Sequence, residues 1–415
     1  MTDFRTHTLD NGLRLVHCAD STTQMVALNI LYRVGARNET PQRTGFAHLF
    51  EHLMFGGSKH APNYDTPLQR AGGENNAWTT NDLTNYYLSL PRENASTAFW
   101  LESDRMAYLD LSSKALEVQR KVVMEEFKQR NLNQPYGDMG HLIRALAYTT
   151  HPYRWPTIGL ELSHIAEATA EDVQEFYETH YSPGNAVLSV TGNISFDQCR
   201  ELTEHWFGNL PHRPINTTPV PQEPPQIAQR RLEVERDVPI NMLVMAFPMS
   251  RRFAPDFYIF DLISDLLAGG RSGRLTRRLI FEKPLFTAID AYVSDSLDDG
   301  LFYVTGRLAP KISFAAAEQA VWEELQNLHH TAPESIEIKK AKNKYEVNTL
   351  MERMHYLSMA YELAYFEACG GDAALIDTTV DRYRAVTAEE VQRVAQQTFV
   401  PERSNIIHYH ARKEV

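Results

Sequence analysis

The sequence predicts an α+β protein with two homologous domains, each a mainly antiparallel β-sheet covered by helices. The chain has 415 residues, more than one ordinary domain requires, and this length predicts two or three domains. Each half contains alternating apolar and polar strands, then helical segments, then further strands, an order typical of the α+β class. Hydrophobic residues make up 43% and charged residues 23% of the chain, as in an ordinary globular protein.

An internal repeat supports the two-domain division. The segment Thr169–Gln174 reads Thr-Ala-Glu-Asp-Val-Gln, and the segment Thr387–Gln392 reads Thr-Ala-Glu-Glu-Val-Gln. Each segment is followed by a short aromatic stretch that ends in a proline, Pro183 in the first half and Pro401 in the second. Both offsets are 218 residues. Because the similarity keeps one register, it predicts a duplicated domain of about 210 residues.

A proline-rich stretch separates the two repeats. Prolines recur between Pro211 and Pro225, where they interrupt helices and strands, and this composition is typical of a linker. We therefore predict an N-terminal domain at residues 1–215, a linker at residues 216–228 and a C-terminal homologous domain at residues 229–415.

The first domain is predicted to contain four strands followed by a long helical region. Residues 13–18 and 26–32 alternate between two faces, as strands do. Two further strands are predicted between residues 72 and 90. Helical periodicity then extends over residues 93–130 and is interrupted near residue 112.

A short helix between the second and third strands carries two histidines one turn apart. His48 and His52 share one helix face because positions i and i+4 lie one above the other, and Glu51 lies beside them. The order His-x-x-Glu-His offers two imidazoles to one zinc ion and a carboxylate as base. The alternative is an amphipathic helix whose histidines are capped or solvated. The helix itself is indicated by apolar residues at helical spacing: Phe46, Leu49, Phe50, Leu53 and Met54.

A third ligand must come from another element, since this helix can present only two ligands and a base on one face. Glu125 and Glu126, in the following helical region, both qualify by residue type. Glu126 lies one turn past Val122 and Val123 and can share their inward face. Glu125 lies beside Lys121 and is expected to face water.

The chain resembles the pitrilysin/insulinase family of zinc metallopeptidases. Within that family it is most similar to the zinc-bearing, beta-like subunits of the short-chain, mitochondrial-processing-peptidase-like subfamily. The segments that carry the resemblance are residues 46–55, 73–79, 122–126, 151–153 and 180–185.

The resemblance implies one zinc ion per chain, bound by His48, His52 and Glu126, with Glu51 as the catalytic base. Glu126 follows His52 by 74 residues, which matches the family's spacing. Gln119 departs from the family, which often carries a glutamate at that position. The resemblance places this residue behind the zinc ligands, where it would adjust the properties of the bound metal and not zinc binding itself.

The resemblance also assigns a role to the third predicted strand. In the family, the edge of this strand pairs with an extended substrate, and the matching positions are Asn76, Ala77, Trp78 and Thr79. Pairing through backbone atoms selects the extended form of a peptide and not its sequence. For Trp78 the alternative is a packed strand aromatic.

The second half keeps the apolar pattern of the metal-binding helix and loses its ligands. Aligning the glycine pairs that end the two helices places Asp261 and Asp265 at the positions of the histidines. Ser264 takes the position of the glutamate. The C-terminal domain is therefore expected to be non-catalytic, and the N-terminal domain to be catalytic.

The predicted function is a zinc-dependent endopeptidase that cleaves unfolded peptides or presequence-like segments inside a closed chamber, through a zinc-activated water with Glu51 as general base. The rival is a non-catalytic scaffold or assembly subunit with the same fold. Scaffold copies tend to lose ligands, as the second half has, whereas the first half retains them all. The enzyme is therefore favoured.

A homologous partner subunit is expected. In active family members the second half supplies an Arg and a Tyr that bind substrate opposite the zinc, and here Ile280 and Thr287 stand at those positions. Neither replaces the missing donors. We predict a heterodimer whose partner supplies the pair. The alternative is a homodimer in which Arg277, Arg278 or Tyr292 substitutes.

Composition excludes several other classes of protein. The net charge of −12 argues against a nucleic-acid binder. Three widely spaced cysteines indicate reduced thiols, and no apolar run approaches the length of a membrane span. The predicted location is the cytoplasm, or the periplasm if a leader has been removed.

Overall fold

The computed structural model describes residues 2–215 and 218–412. The strands are β1 (Phe4–Thr8), β2 (Arg14–Ala19), β3 (Met25–Tyr32), β4 (Glu74–Thr79), β5 (Thr84–Pro91), β6 (Ala186–Gly192), β7 (Arg230–Arg236), β8 (Met242–Met249), β9 (Phe286–Val293), β10 (Gly300–Leu308) and β11 (Asn405–Ala411). The helices are α1 (Phe46–Leu53), α2 (Asp65–Arg70), α3 (Ala95–Tyr108), α4 (Ser113–Phe127), α5 (Met139–Ala147), α6 (Leu162–Ala166), α7 (Ala170–His180), α8 (Phe196–Phe207), α9 (Pro255–Ala268), α10 (Arg274–Thr276), α11 (Phe314–His330), α12 (Ser335–Arg353), α13 (Tyr356–Tyr365), α14 (Leu375–Ala385) and α15 (Ala388–Thr398).

The strands form two sheets with the same internal order. The first sheet runs β1-β2-β6-β3-β5-β4 and the second β7-β11-β8-β10-β9. Neighbouring strands are antiparallel except for β2 with β6 and β7 with β11, which are parallel. Without β1, each strand of the first sheet has a counterpart in the second, in the same place and direction. The predicted α+β class with two similar, mainly antiparallel sheets is confirmed.

The repeated segments found in the sequence form equivalent helix starts. Thr169 caps α7, and its hydroxyl and the carboxylate of Asp172 exchange hydrogen bonds with each other's backbone N–H groups. Thr387 and Glu390 do the same at the start of α15. This capping box satisfies N–H groups that a helix start otherwise leaves without partners. Each capped helix leads into the strand that occupies the same place in its sheet, β6 or β11.

The chain divides into two compact units that do not follow the order of the sequence. Within the described residues, the first unit comprises residues 2–130, 155–215, 218–221 and 350–378. The second unit comprises residues 131–154, 222–349 and 379–412. Helix α13 thus packs on the first sheet and α5 on the second. The boundaries 1–215, 216–228 and 229–415 remain a prediction about the duplication, and residues 216–217 of that linker lie outside the described residues.

The first unit holds the predicted zinc helix against its sheet. The strands predicted at residues 13–18 and 26–32 are β2 and β3, and the pair predicted between residues 72 and 90 is β4 and β5. The interrupted helical region is α3 and α4. Four apolar side chains of α1 are buried in the core of this unit: Phe46, Leu49, Phe50 and Leu53. Another face of the helix contacts α4 and β4.

No helix in residues 2–215 or 218–412 combines the length and the apolar character that crossing a membrane requires.

Candidate metal centre

Helix α1 begins at a sharp turn that a buried carboxylate stabilises. Gly45 has a φ of 89°, in the left-handed region, and a Cβ there would lie 2.9 Å from the carbonyl oxygen of Ile158. The buried carboxylate of Glu39 accepts hydrogen bonds from the backbone N–H groups of Gly45 (2.9 Å) and Ala47 (2.8 Å). Glu39 therefore satisfies N–H groups that a helix start leaves without partners, and it fixes where α1 begins.

The structure brings the three predicted ligands together. Nε2 of His48 and Nε2 of His52 lie 3.3 Å apart. Oε2 of Glu126 lies 3.6 Å from Nε2 of His48 and 3.2 Å from Nε2 of His52. His48 is buried, while His52 and Glu126 are partly exposed. One oxygen and two nitrogens thus converge on one point.

This donor set fits a zinc ion. Zinc bonds of about 2.0–2.1 Å in a tetrahedral site place neighbouring ligand atoms about 3.3 Å apart, close to the three distances observed. Burial lowers the pKa of His48 below its ordinary value, and the neighbouring His52 lowers it further. His48 is therefore in the neutral form that binds metal ions. Two imidazoles and one carboxylate are also ligand types that zinc prefers.

Glu126 is presented by α4, on the face of that helix that packs inward. Its side chain is 18% exposed, against 57% for Glu125, which pairs with Lys128 instead. Val123 shares the inward face, whereas Val122 is 46% exposed, so only one of the two valines packs as expected. The hydrogen bond from His52 lowers the pKa of Glu126.

Glu51 lies beside the three ligands and is held by a hydroxyl group. The Thr79 hydroxyl donates a hydrogen bond of 2.6 Å to Oε2 of Glu51. Burial raises the pKa of Glu51, and the hydrogen bond from Thr79 acts in the opposite direction. The environment therefore moves this carboxyl toward the range in which it can accept and return a proton near neutral pH.

The predicted substrate strand is β4, an edge strand of the first sheet. It pairs with β5 on one side, and no strand lies beyond it in the described part of that sheet. The backbone N–H of Ala77 donates to Oδ1 of Asn76 (2.8 Å). The Trp78 ring packs edge-on against Tyr361, with centroids 5.3 Å apart. Trp78 therefore has a packing role, and its assignment to substrate binding stays a prediction, as for its three neighbours.

In the second unit, two of the three positions that match the ligands form an ion pair. Lys344 follows Glu126 by 218 residues, the offset of the repeat, and its ammonium group pairs with Asp265. Asp261 accepts a hydrogen bond of 2.6 Å from the hydroxyl of Tyr383. Ser264 donates to the carbonyl oxygen of Asp261 (2.8 Å). A lysine thus supplies the positive charge at the place where the first unit has its ligand cluster.

Residues considered for substrate binding in the second unit are engaged elsewhere. Ile280 packs against the core of that unit, and the hydroxyl of Thr287 donates to the carbonyl oxygen of Arg307 (3.3 Å). Among the alternatives, Arg277 pairs with Glu282 (3.5 Å), and Arg278 pairs with the buried Glu324 (2.8 Å). Tyr292 stacks on Tyr303 with ring centroids 4.8 Å apart.

Sequence reasoning missed two charged residues that position the site. Glu39 lies six residues before Gly45, and a glutamate in a loop carries no signal of its capping role. Arg130 follows Glu126 by one helical turn and bonds its second oxygen (2.8 Å). The i, i+4 spacing of Glu126 and Arg130 could have indicated that pair.

Comparison with known proteins gives two matching family models. Residues 14–158 match the model described as Insulinase (Peptidase family M16), and this range contains His48, Glu51, His52 and Glu126. Residues 167–345 match the model described as Peptidase M16 inactive domain.

Individual relatives include two named zinc proteases. The chain is 29% identical to the zinc protease PqqE of Helicobacter pylori over 341 residues, which is 81% of this chain and 77% of the relative. It is 25% identical to the uncharacterized zinc protease YmxG of Bacillus subtilis over 395 residues, 95% of both chains. A solved structure of a protease from Helicobacter pylori superimposes with a TM-score of 0.93 and 26% identity over 99% of both chains.

Proposed function

Because the chain belongs to the insulinase family of peptidases, family M16, we propose that it is a zinc-dependent endopeptidase that uses Glu51 as general base. The convergence of His48, His52 and Glu126 within 3.2–3.6 Å of one another carries the proposal. These three side chains would hold the zinc ion, one per chain at this site. The relatives named zinc proteases support the same activity.

Each side chain has a defined task in the proposed reaction. A bound zinc ion supplies Lewis acidity, which polarises a peptide carbonyl and acidifies water. Glu51 takes the proton of the attacking water and returns it to the leaving amine. Thr79 occupies Oε2 of Glu51, which leaves Oε1 as the atom that holds the proton. Burial raises the pKa of Glu51, which favours its taking up the proton.

Unfolded peptides or presequence-like segments are the proposed substrates, cut inside a closed chamber. The edge of β4 supports this class, since it ends at Thr79 beside Glu51 and offers backbone groups to an extended chain. A peptide added to this edge would run directly past the base. Because this edge recognises backbone groups, we expect the chain to cleave peptides of many different sequences.

The test is peptide cleavage by the purified full chain before and after metal removal. Treatment with a strong chelator should abolish cleavage of an internally quenched peptide, and stoichiometric zinc should restore it. A chain that cleaves equally well after its zinc has been removed would contradict the proposal. A chain that takes up zinc at this site and cleaves no peptide, alone or with a partner, would favour the scaffold alternative.

We further propose that a homologous subunit completes the site in a heterodimer. Ile280 donates no hydrogen bond, and Thr287 is too short to replace a tyrosine. Arg278 is held by a buried glutamate, which counts against the homodimer in which it substitutes. Cleavage should therefore rise roughly a hundredfold when a homologous neighbour lacking the zinc motif is co-expressed. Full activity of the chain alone, unchanged by the partner, would favour the homodimer.

A further inference from the structure

The second sheet carries another cluster of metal-binding side chains. Strand β11 places His408 and His410 on one face, because alternate residues of a strand point the same way. The parallel strand β7 places Glu233 beside His408 in register. Potential ligand atoms of these three side chains all lie within 4.8 Å of one another.

Glu233 connects the two histidines directly. Its Oε1 lies 2.7 Å from Nδ1 of His408, and its Oε2 lies 2.6 Å from Nε2 of His410. The His408 side chain is 12% exposed, whereas those of His410 and Glu233 are 41% and 58% exposed. The cluster thus has one inner nitrogen and two outer groups that can shift to admit an ion. Solvent can complete the coordination.

The second ring nitrogen of His408 has its own carboxylate partner. Nε2 of His408 lies 2.8 Å from Oε2 of Glu318 on α11. Both terminal nitrogens of the Arg231 guanidinium bond Glu318 in turn. When Nε2 donates a hydrogen bond to Glu318, Nδ1 is the ring nitrogen that remains to bind an ion, in place of its present contact with Glu233. A carboxylate on the far nitrogen is how metal-binding histidines are commonly oriented.

An aromatic side chain packs against both imidazole rings. Phe314 stacks on His408, with ring centroids 4.4 Å apart and planes 15° apart. The His410 ring packs against the same phenylalanine at 4.6 Å. The ring of His408 therefore loses little further freedom when it binds an ion, which favours binding.

The cluster is particular to the second half of the chain. By the repeat offset, His408 and His410 match Val190 and Gly192 on β6. The residue beside Val190 on β2 is His17, where the second half has Glu233. Since the first sheet has the same topology without these ligands, the fold itself does not require them.

We propose that Glu233, His408 and His410 bind a second divalent transition-metal ion, with zinc as the preferred ion. Two imidazoles and a carboxylate match zinc, whereas calcium and magnesium prefer oxygen ligands. The ion links β7, an edge strand that pairs only with β11 in the described part of its sheet, to its neighbour. This ion therefore stabilises the edge of the second unit, and it is distinct from the predicted catalytic zinc.

Zinc stoichiometry of the full chain tests the proposal. Equilibrium dialysis against zinc should give two ions per chain for the wild type and one for His410→Ala. The double variant His48→Ala/His52→Ala should also bind one ion, and adding His410→Ala to it should leave none. His330→Ala is the matched control, since it removes an exposed imidazole outside both clusters and should leave two ions bound.

Thermal unfolding separates a metal site from an ion-pair network. Zinc should raise the midpoint of thermal unfolding of His48→Ala/His52→Ala, and this rise should disappear when His410→Ala is added. Glu318→Gln should weaken zinc binding about 10–100-fold. This loss of affinity should exceed what any change in the stability of the zinc-free protein explains. If His48→Ala/His52→Ala binds no more zinc than the variant that also carries His410→Ala, the cluster is an ion-pair network and the proposal is wrong.

Discussion

At the residue scale, two side chains outside the predicted ligand set position the proposed site. Thr79 holds one oxygen of Glu51, and Glu39 holds the first N–H groups of α1. The spacing of His48 and His52 predicts their convergence because both lie on one helix. The partners of Glu39 and Thr79 depend on how separate segments fold together, so local sequence patterns do not reveal them.

Thr79→Val should reduce kcat roughly 10–100-fold while zinc stays bound. The substitution keeps the shape of the side chain and removes the hydroxyl that donates to Glu51. A hydrogen bond to a charged group contributes about 1.5–3 kcal/mol, which corresponds to this range. Steady-state kinetics with zinc analysis checks it. Thr79→Ser retains the donor and should keep nearly full activity, and equal losses in both variants would contradict the assigned role.

Glu39→Ala should destabilise the start of α1. Two buried backbone N–H groups would lose their acceptor, and leaving buried donors unsatisfied costs about 1–3 kcal/mol each. Hydrogen exchange at the amides of Gly45 and Ala47 measures the loss of protection. Glu125→Ala removes an exposed carboxylate and should change stability by less than about 0.5 kcal/mol. Unchanged protection in Glu39→Ala would show that the cap is dispensable.

At the element scale, the sequence predicts four of the six strands of the first sheet, β2 to β5, and the break between α3 and α4. The capping boxes at α7 and α15 were not predicted, although the spacing of three residues between each Thr and its acidic partner could have indicated them. The sequence does not predict which sheet a helix covers. Helix α5, from the first half of the chain, belongs to the second unit, and α13, from the second half, belongs to the first. The apolar face of each helix does not indicate which sheet it will cover.

Ala77→Pro should raise KM for peptides about 5–10-fold and leave kcat and zinc content unchanged. Alternate N–H groups of an edge strand point away from the sheet, and Ala77 donates to a neighbouring side chain instead of the ladder. Proline removes that outward donor, worth about 1 kcal/mol in a peptide complex. Asn76→Pro removes an N–H expected to face β5 and should lower thermal stability instead. An unchanged KM in Ala77→Pro would argue against strand addition at this edge.

At the scale of the whole molecule, two similar halves have diverged around one set of positions. The first half places two histidines and a glutamate where the second has two aspartates and Lys344. The sequence predicts the loss of the histidines and misses the lysine, because a charge partner 79 residues from Asp265 is visible only in the fold. The cluster of Glu233 with His408 and His410 was missed for the same reason.

Residues 1–215 expressed alone should not reach a native, zinc-binding state. This fragment lacks α13, whose side chains are buried on the first sheet: Ala360, Leu363 and Ala364. Co-expression with residues 216–415 should restore both zinc binding and cooperative unfolding. Near-ultraviolet circular dichroism and metal analysis provide the measurement. A fragment that unfolds cooperatively and binds zinc by itself would contradict the assignment of α13 to this unit.

The most direct test of the proposed peptidase compares the wild type with Glu51→Gln, each with zinc restored and with any partner subunit present. Zinc content at the His48, His52 and Glu126 site is measured together with cleavage of a quenched peptide. The proposed mechanism predicts unchanged zinc and a loss of kcat of about 10²–10⁴-fold, because the amide cannot take the proton of the attacking water. Full activity in Glu51→Gln with zinc retained would contradict the assignment of Glu51 as base.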